Sequence, residues 1–317
     1  MTRPLPTPTA TGHAGLIRAD RRRVLGVLAA LPLALMARPA TGQEAMLRPF
    51  STRMVHSGHS LTDPIVPMLD AMVAHADPGA ARGRVIHRST IPGSPMDWRW
   101  NTRGDGTSPD AREDIAQYEL LIITERAPLS GTIQWHGSED MALQWFEHAW
   151  TRGNDGTGAE SILYATWVHT DSGPGFDNIH NDPEGHLTFA ERLPLEATRW
   201  QAILDHVNAN RPADAPPMRL IPGPQIMAAV HDAIAAGQAP GLARIEDLFS
   251  DNIHLNDQGS YLIALAHLAV IYGQDPRDLP LLPARSGRPP EETARWMAQL
   301  VHDVLQDHPD SGYPPGP

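Results

Sequence analysis

"RMVHSGHSLTDPIVPMLDAMVAHA" runs from Arg53 to Ala76 and decides how the rest of the chain is read. "RMVHSG" (Arg53 to Gly58) has the length and apolar content of a short strand, and the glycine ends it. Thr62 and Asp63 are cap-type residues, and Pro64 suits the first position of a helix. From Pro64 to Ala76 the apolar residues recur at helical spacing. The same alternation continues downstream. "GRVIHRS" (Gly83 to Ser89), "YELLIIT" (Tyr118 to Thr124), "SILYATWVH" (Ser161 to His169) and "MRLIPG" (Met218 to Gly223) read as four further strands. "YELLIIT" is continuously apolar, as a strand buried on both faces of a parallel sheet must be. Helical patterns lie at Met141 to Trp150, Leu187 to Ala209 (with Pro194 as a break or kink), Pro224 to Ala236, Asn256 to Gly273 and Glu291 to Gln306. Strands alternating with helices predict an α/β fold: a five-stranded parallel sheet covered on both faces. In such sheets the site lies beyond the carboxyl ends of the strands.

The bulk composition narrows the function. The chain has 317 residues, 41% of them hydrophobic and 20% charged, which is globular. A net charge of -12 repels phosphate backbones, so nucleic acid is not an expected partner. There is no cysteine, which excludes disulfides, a thiol nucleophile and thiolate metal sites. "RADRRR" (Arg18 to Arg23) is followed by the apolar run "VLGVLAALPLALMA" (Val24 to Ala37) and then by small residues up to Gly42. The run is shorter than the ~20 residues of a membrane span. Residues 1–42 therefore read as an export signal, of twin-arginine character in its arginine pair. The expectation is one domain over residues 43–307, a flexible tail over 308–317, a periplasmic or secreted location, and no membrane association after signal removal.

Ser57 belongs to the first strand. Ser60 falls in the turn behind it, where its side chain is exposed and backbone N–H groups stand free to hold a negative oxygen. A serine hydroxyl is a weak nucleophile until a base takes its proton. The candidate base lies in "FSDNIHLNDQGSYLIAL" (Phe249 to Leu265), after the fifth strand. Asp251 and His254 are three residues apart, the spacing of one helical face. Asp251 can fix the tautomer of His254, and His254 can take the proton of Ser60.

"GHSLTD" followed by a distant "DNIHLNDQG" resembles the SGNH (GDSL-type) hydrolase family, whose first block reads G-D-S-L and whose last reads D-x-x-H. The resemblance spans the chain after the signal in order and spacing. It implies a flavodoxin-like three-layer fold and an esterase or lipase-type activity. It places Ser60 as nucleophile, Asp251 as orienter and His254 as base. "STIPGSPMDWRWN" (Ser89 to Asn101) resembles the second block, which makes Gly93 a backbone donor to the oxyanion. There are two departures. His59 stands where the family has aspartate. The third block lacks its asparagine and reads "TERAPL" (Thr124 to Leu129). Arg126 has the donors to replace it in the oxyanion hole, whereas ionised Glu125 has none and would then orient Arg126 or contact substrate hydroxyls. The alternative is that Arg126 points away as a surface charge, and one residue more or less of the third strand decides which side chain faces the site.

Other residues are read more plainly. "FDNIHNDPEGH" brings together Asp177, His180, Asp182 and His186, which are ligand types for zinc or calcium. Their spacing fits no metal site, and the run reads as a structured loop. No metal and no cofactor are expected. His56 and His59 are expected at a strand end, as packing or substrate contacts. Trp98 and Trp100 are expected on one face of an extended segment, where they are either core or a platform for a sugar ring. The sequence thus points to an exported serine hydrolase acting on carboxylic esters, among them acylated carbohydrates. The alternatives are an acyltransferase with the same triad and a non-catalytic protein that keeps the fold.

Overall fold

The computed structural model describes residues 48–102, 109–178 and 182–314. The expected export signal, residues 1–42, lies outside them. Five strands form a single sheet: β1 (Arg53–Gly58), β2 (Val85–Thr90), β3 (Leu120–Ile123), β4 (Glu160–Ala165) and β5 (Arg219–Pro222). Their order is β2-β1-β3-β4-β5 and every pairing is parallel. This is the flavodoxin-like order, in which the connections leave β1 on opposite sides and open a crevice at the carboxyl ends of β1 and β3.

The helices are α1 (Ile65–Ala76), α2 (Met96–Asn101), α3 (Ile133–His136), α4 (Ser138–Arg152), α5 (Phe189–Asn210), α6 (Gly223–Ala235), α7 (Asp257–Tyr272) and α8 (Glu291–Gln306). Successive strand side chains point to opposite faces. Met54, Leu120, Ile122, Ile162 and Ile221 enter one core with residues of α1, α6, α7 and α8. Val55, Leu121, Ile123, Leu163 and Leu220 enter the other with α4 and the greater part of α5. The result is the expected three-layer α/β architecture. All four residues of β3 are buried, which is why its sequence is apolar without alternation. The run from Gly259 to Tyr272 in α7 is buried on every side, so that helix carries no polar face.

Four local expectations differ from what is found. Thr62 and Asp63 do not cap α1, which begins without a side-chain cap. Asp63 instead accepts a 2.6 Å hydrogen bond from Thr90 Oγ1 at the end of β2. Pro194 lies inside an uninterrupted α5, whose start is fixed by a capping box of Thr188 and Glu191. β4 ends at Ala165 rather than His169, because Trp167 and Val168 are core residues lying past the end of the strand. The described part of the expected tail is docked. Ser311 and Tyr313 are buried, and the Tyr313 hydroxyl lies 2.9 Å from His302 Nδ1 of α8. One tyrosine ring with a buried hydrogen-bond partner is enough to hold a short segment that its polar neighbours would leave in solvent.

Candidate active site

The chain leaves β1 at Gly58 and turns through residues 59–63 into α1. A Cβ on Gly58 would lie 2.1 Å from Thr62 Oγ1, so only glycine lets this turn close so tightly. The turn presents Ser60 at the carboxyl edge of the sheet. Its Oγ lies 2.8 Å from Nε2 of His254. His254 Nδ1 lies 2.7 Å from Asp251 Oδ2. An ionised carboxylate only accepts, so Nδ1 carries the hydrogen and donates it to Asp251. Nε2 is then bare and accepts from the Ser60 hydroxyl.

Asp251 and His254 are brought together by a bend in the chain rather than by a helical turn. Asp251 Oδ1 accepts from the N–H groups of Ile253 (2.8 Å) and His254 (2.7 Å), which folds the segment around its own carboxylate. Partial burial works against the charge on Asp251. Hydrogen bonds from the His254 and Ile253 backbone and from the His254 ring outweigh it and hold the carboxyl below its usual range. The segment is anchored at both ends. Phe249 and Leu255 form an antiparallel bridge, and Asn256 caps α7 by accepting from the N–H groups of Gln258 and Gly259. Trp167 Nε1 donates to the Ile253 carbonyl at 2.9 Å, tying the segment to the loop after β4.

Donors without acceptors line the same cleft as Ser60. Gly93 follows β2 with φ of +66°, a left-handed conformation that favours glycine. The backbone N–H groups of Ser60 and Gly93 donate to no acceptor among the described residues. The Arg126 guanidinium likewise has no hydrogen bond or ion pair among them, and it is half-buried. Ser60, Gly93, Arg126 and His254 all line one cleft of about 690 Å³, together with Thr132, Asp177 and Asn252.

Beneath this cleft lies a group of buried polar residues. His59 is buried; Leu61 N–H donates to its Nδ1 (3.3 Å), and its Nε2 then donates to the Glu125 carbonyl (3.0 Å). Burial and the nearby Arg99 charge push this imidazole down to about 3, so it is neutral. With both nitrogens engaged, His59 pins the serine turn to the end of β3, and it also lines the cleft beside Ser60. Glu125 is also buried rather than facing substrate. Its Oε1 accepts from the N–H groups of Met96 (2.9 Å) and Arg126 (2.6 Å). Burial raises its pKa, against the charge of Arg99 and the hydrogen bonds from Arg126, Ser138 and Met96. Arg99 on α2 donates from Nε to Ser57 Oγ (3.1 Å), from Nη1 to the Ser94 carbonyl (2.5 Å), and from Nη2 to the Thr124 carbonyl. Burial lowers it to about 10. Arg99 therefore joins β1, the Gly93 loop and the end of β3. It was missed in the sequence. Its only signal was a cation inside the aromatic run "MDWRW".

No family model matches the chain, and no curated protein matches it in sequence. Among solved structures, a DUF4886 family protein from Bacteroides uniformis is similar over 82% of this chain and 96% of its own, with a TM-score of 0.55 and 13% identity. A candidate SGNH hydrolase from Slackia heliotrinireducens aligns over 68% of this chain and 96% of its own, with a TM-score of 0.41 and 17% identity. The first likeness shows a shared fold. What the cleft does rests on the residues that line it.

The remaining candidates separate. Trp98 and Trp100 lie on the helix α2 instead of an extended segment, so they face opposite ways. Trp100 packs edge-to-face on Trp145 at 5.0 Å, while Trp98 is 51% exposed. Trp98 does not line the cleft. Asp182 is buried, accepts from Ser130 Oγ at 2.6 Å and pairs with buried Arg192. That arginine takes the charge a metal would need. Asp177 and His186 are exposed, and His180 lies outside the described residues. Among the described residues, no cluster of histidines and carboxylates has the arrangement of a metal site.

Proposed function

We propose that the protein is a serine hydrolase of the SGNH type that cleaves carboxylic esters through an acyl-enzyme on Ser60. One observation carries this reading: the unbroken hydrogen-bonded series Asp251–His254–Ser60, opening into a cleft beside two unsatisfied backbone N–H groups. His254 Nε2 takes the hydroxyl proton as Ser60 Oγ bonds to the ester carbonyl carbon. Asp251 stabilises the imidazolium that forms. The carbonyl oxygen becomes an oxyanion held by the N–H groups of Ser60 and Gly93 and by Arg126, which stands where the family has asparagine. The C–O bond to the alcohol then breaks, and His254 returns the proton to the departing alkoxide. Water attacks the acyl-enzyme with His254 again as base, releasing the carboxylic acid and free Ser60.

A non-catalytic role was suggested only by the missing asparagine. Arg126 in the cleft wall answers that gap with a group that always carries donors and positive charge. The test is labelling with a fluorophosphonate probe followed by peptide identification, together with p-nitrophenyl acetate hydrolysis and a Ser60→Ala control. The expected result is a label on Ser60 and turnover that vanishes in the variant. Labelling elsewhere, or turnover that survives Ser60→Ala, overturns the proposal.

We also propose that the enzyme is exported, on the strength of the basic and apolar pattern before Gly42. N-terminal sequencing of periplasmic or secreted material is expected to start near Gln43. No helix among the described residues is long and apolar enough to cross a membrane.

A further inference from the structure

The largest exposed apolar side chains among the described residues are Trp135 (75% exposed), Trp98 (51%) and Leu195 (39%). Leaving an indole in water sacrifices the burial that makes tryptophan a core residue, so two of them on short helices joined by a hydrogen bond call for a ligand. Trp98 sits on α2 and Trp135 on α3. Their sequence neighbours Asp97 and His136 bind each other, with His136 Nδ1 donating to the Asp97 carboxylate at 3.0 Å. Two residues joined in this way hold the α-carbons of the tryptophans within about 18 Å of each other, by covalent reach alone. Both helices grow out of the cleft wall. Trp98 is five residues past Gly93, and the Trp135 N–H donates to the carbonyl of Thr132 at 3.0 Å, where Gly93 and Thr132 both line the cleft.

We infer that Trp98 and Trp135 form a binding rim for a neutral glycan chain, which carries the ester to Ser60; this rests on the ester-hydrolase reading of the cleft. The chemistry of the rim selects the ligand. A pyranose ring has an apolar C–H face that stacks on an indole and a hydroxyl edge that needs hydrogen-bonding partners. The two helices offer both kinds of group: Trp98 follows Asp97 in the chain, Trp135 precedes His136, and Asp97 accepts from His136. A net charge of -12 disfavours anionic glycans and nucleic acid bases, which would stack equally well. A protein partner would need a continuous apolar centre, whereas here a polar pair joins the two helices. Trp100, the neighbour that turns inward onto Trp145, marks the difference between a core tryptophan and these two.

The test uses full-length Ser60→Ala protein, so that binding is read without turnover. Xylohexaose, cellohexaose and chitohexaose are titrated by tryptophan fluorescence and calorimetry, with the corresponding monosaccharides as controls. At least one hexasaccharide is expected to bind at least about ten-fold more tightly than its monosaccharide, since stacking adds per ring. Trp135→Ala and Trp98→Ala, each made on the Ser60→Ala background, are expected to weaken that binding about ten-fold, and Trp135→Tyr to keep part of it, because a smaller aromatic face still stacks. Melting curves identify any variant that is merely unfolded; both indoles are exposed, so Tm is expected to hold. Absence of hexasaccharide binding, or binding indifferent to both alanine variants, overturns the inference. Fluorophosphonate labelling of unmodified protein is read separately. A labelled Ser60 without glycan binding removes only the rim, whereas glycan binding without a label removes only the hydrolase.

Discussion

Asp251 and Glu125 are two carboxylates near the serine turn, one exposed and bonded to His254, the other buried at the end of β3. Asp251 is 52% exposed at its side chain and held below the usual carboxylate range by hydrogen bonds from its own turn. Glu125 is fully buried and pushed upward by that burial. The Asp251 arm ends on His254, 40% exposed, and touches the body of the protein mainly through backbone bonds. The Glu125 arm works with Arg99 to join β1, the Gly93 loop and the end of β3. In the proposed mechanism the first arm moves a proton, and it is expected to tolerate change without unfolding the chain. The second fixes where the donors stand, so its geometry and the stability of the fold are the same quantity. The exposed arm is therefore expected to report in rate, and the buried arm in both rate and melting temperature.

The strongest test of this division is His254→Ala. Loss of the base is expected to lower kcat by up to about 10⁶, with Tm unchanged in thermal melts. A large drop in Tm would place His254 in the scaffold and break the comparison. Asp251→Ala comes next, with kcat lower by about 10⁴ and Tm again unchanged, because the base remains but is no longer oriented. On the buried arm, Arg99→Met leaves Glu125 without its cation. It also removes the buried hydrogen bonds of Arg99 to Ser57, Ser94 and Thr124, so a marked drop in Tm is expected along with lost activity. Adding Glu125→Gln should recover part of that stability; failure to do so would mean that the two residues are not coupled. Arg126 lies between the arms. Arg126→Ala is expected to lower kcat by about 10²–10³ with little change in KM, and Arg126→Lys to recover part of it. A change in KM alone would make Arg126 a substrate contact.

The smallest effect concerns pH and the deep interior. Burial pushes His56 down to about 3 and His267 to about 4, from 6.5 in an open chain. Between pH 6.5 and about 4 the unfolded chain takes up protons that the folded protein refuses, so these groups remove stability as the pH falls. Buried Glu196, raised to about 7, contributes the opposite slope above pH 4.5. His56→Leu isolates the histidine part, since both its ring nitrogens are buried without a partner. The expected outcome is a Tm that declines less steeply from pH 6.5 to 4 than in the unaltered protein. An unchanged slope would show that His56 stays protonated when folded.

The layout of the sheet was legible because burial writes itself into composition. β1 and α8 have the limits that their apolar patterns predict. That Ser60, Asp251 and His254 come together was legible from residue type and chain order, although a bend and not the helical turn suggested by their spacing joins the last two. What escaped were short elements and the direction of side chains. α2 and α3 are six and four residues long, too short to show a period, so Trp98 was placed on a strand and Trp135 passed unremarked. The sequence left open which of Glu125 and Arg126 faces the cleft, because one residue more or less of β3 exchanges them. The sheet ends at Ile123, and the chain then turns Glu125 inward and Arg126 outward. Packing and substrate contact both stayed open for His59, because nothing in a sequence shows that both its nitrogens are engaged within the fold.

α7 begins three residues after the catalytic histidine of this reading and is buried along nearly its whole length. In amide hydrogen exchange its backbone is expected to be among the slowest to open, because its bonds break only when the whole domain does. The base thus hangs from the most persistent part of the molecule, while its side chain stays open to solvent. Partial opening under heat or denaturant would reach the glycan rim on α2 and α3 long before it displaced His254. Loss of binding to long substrates is then expected to precede loss of the esterase reaction as conditions become harsher.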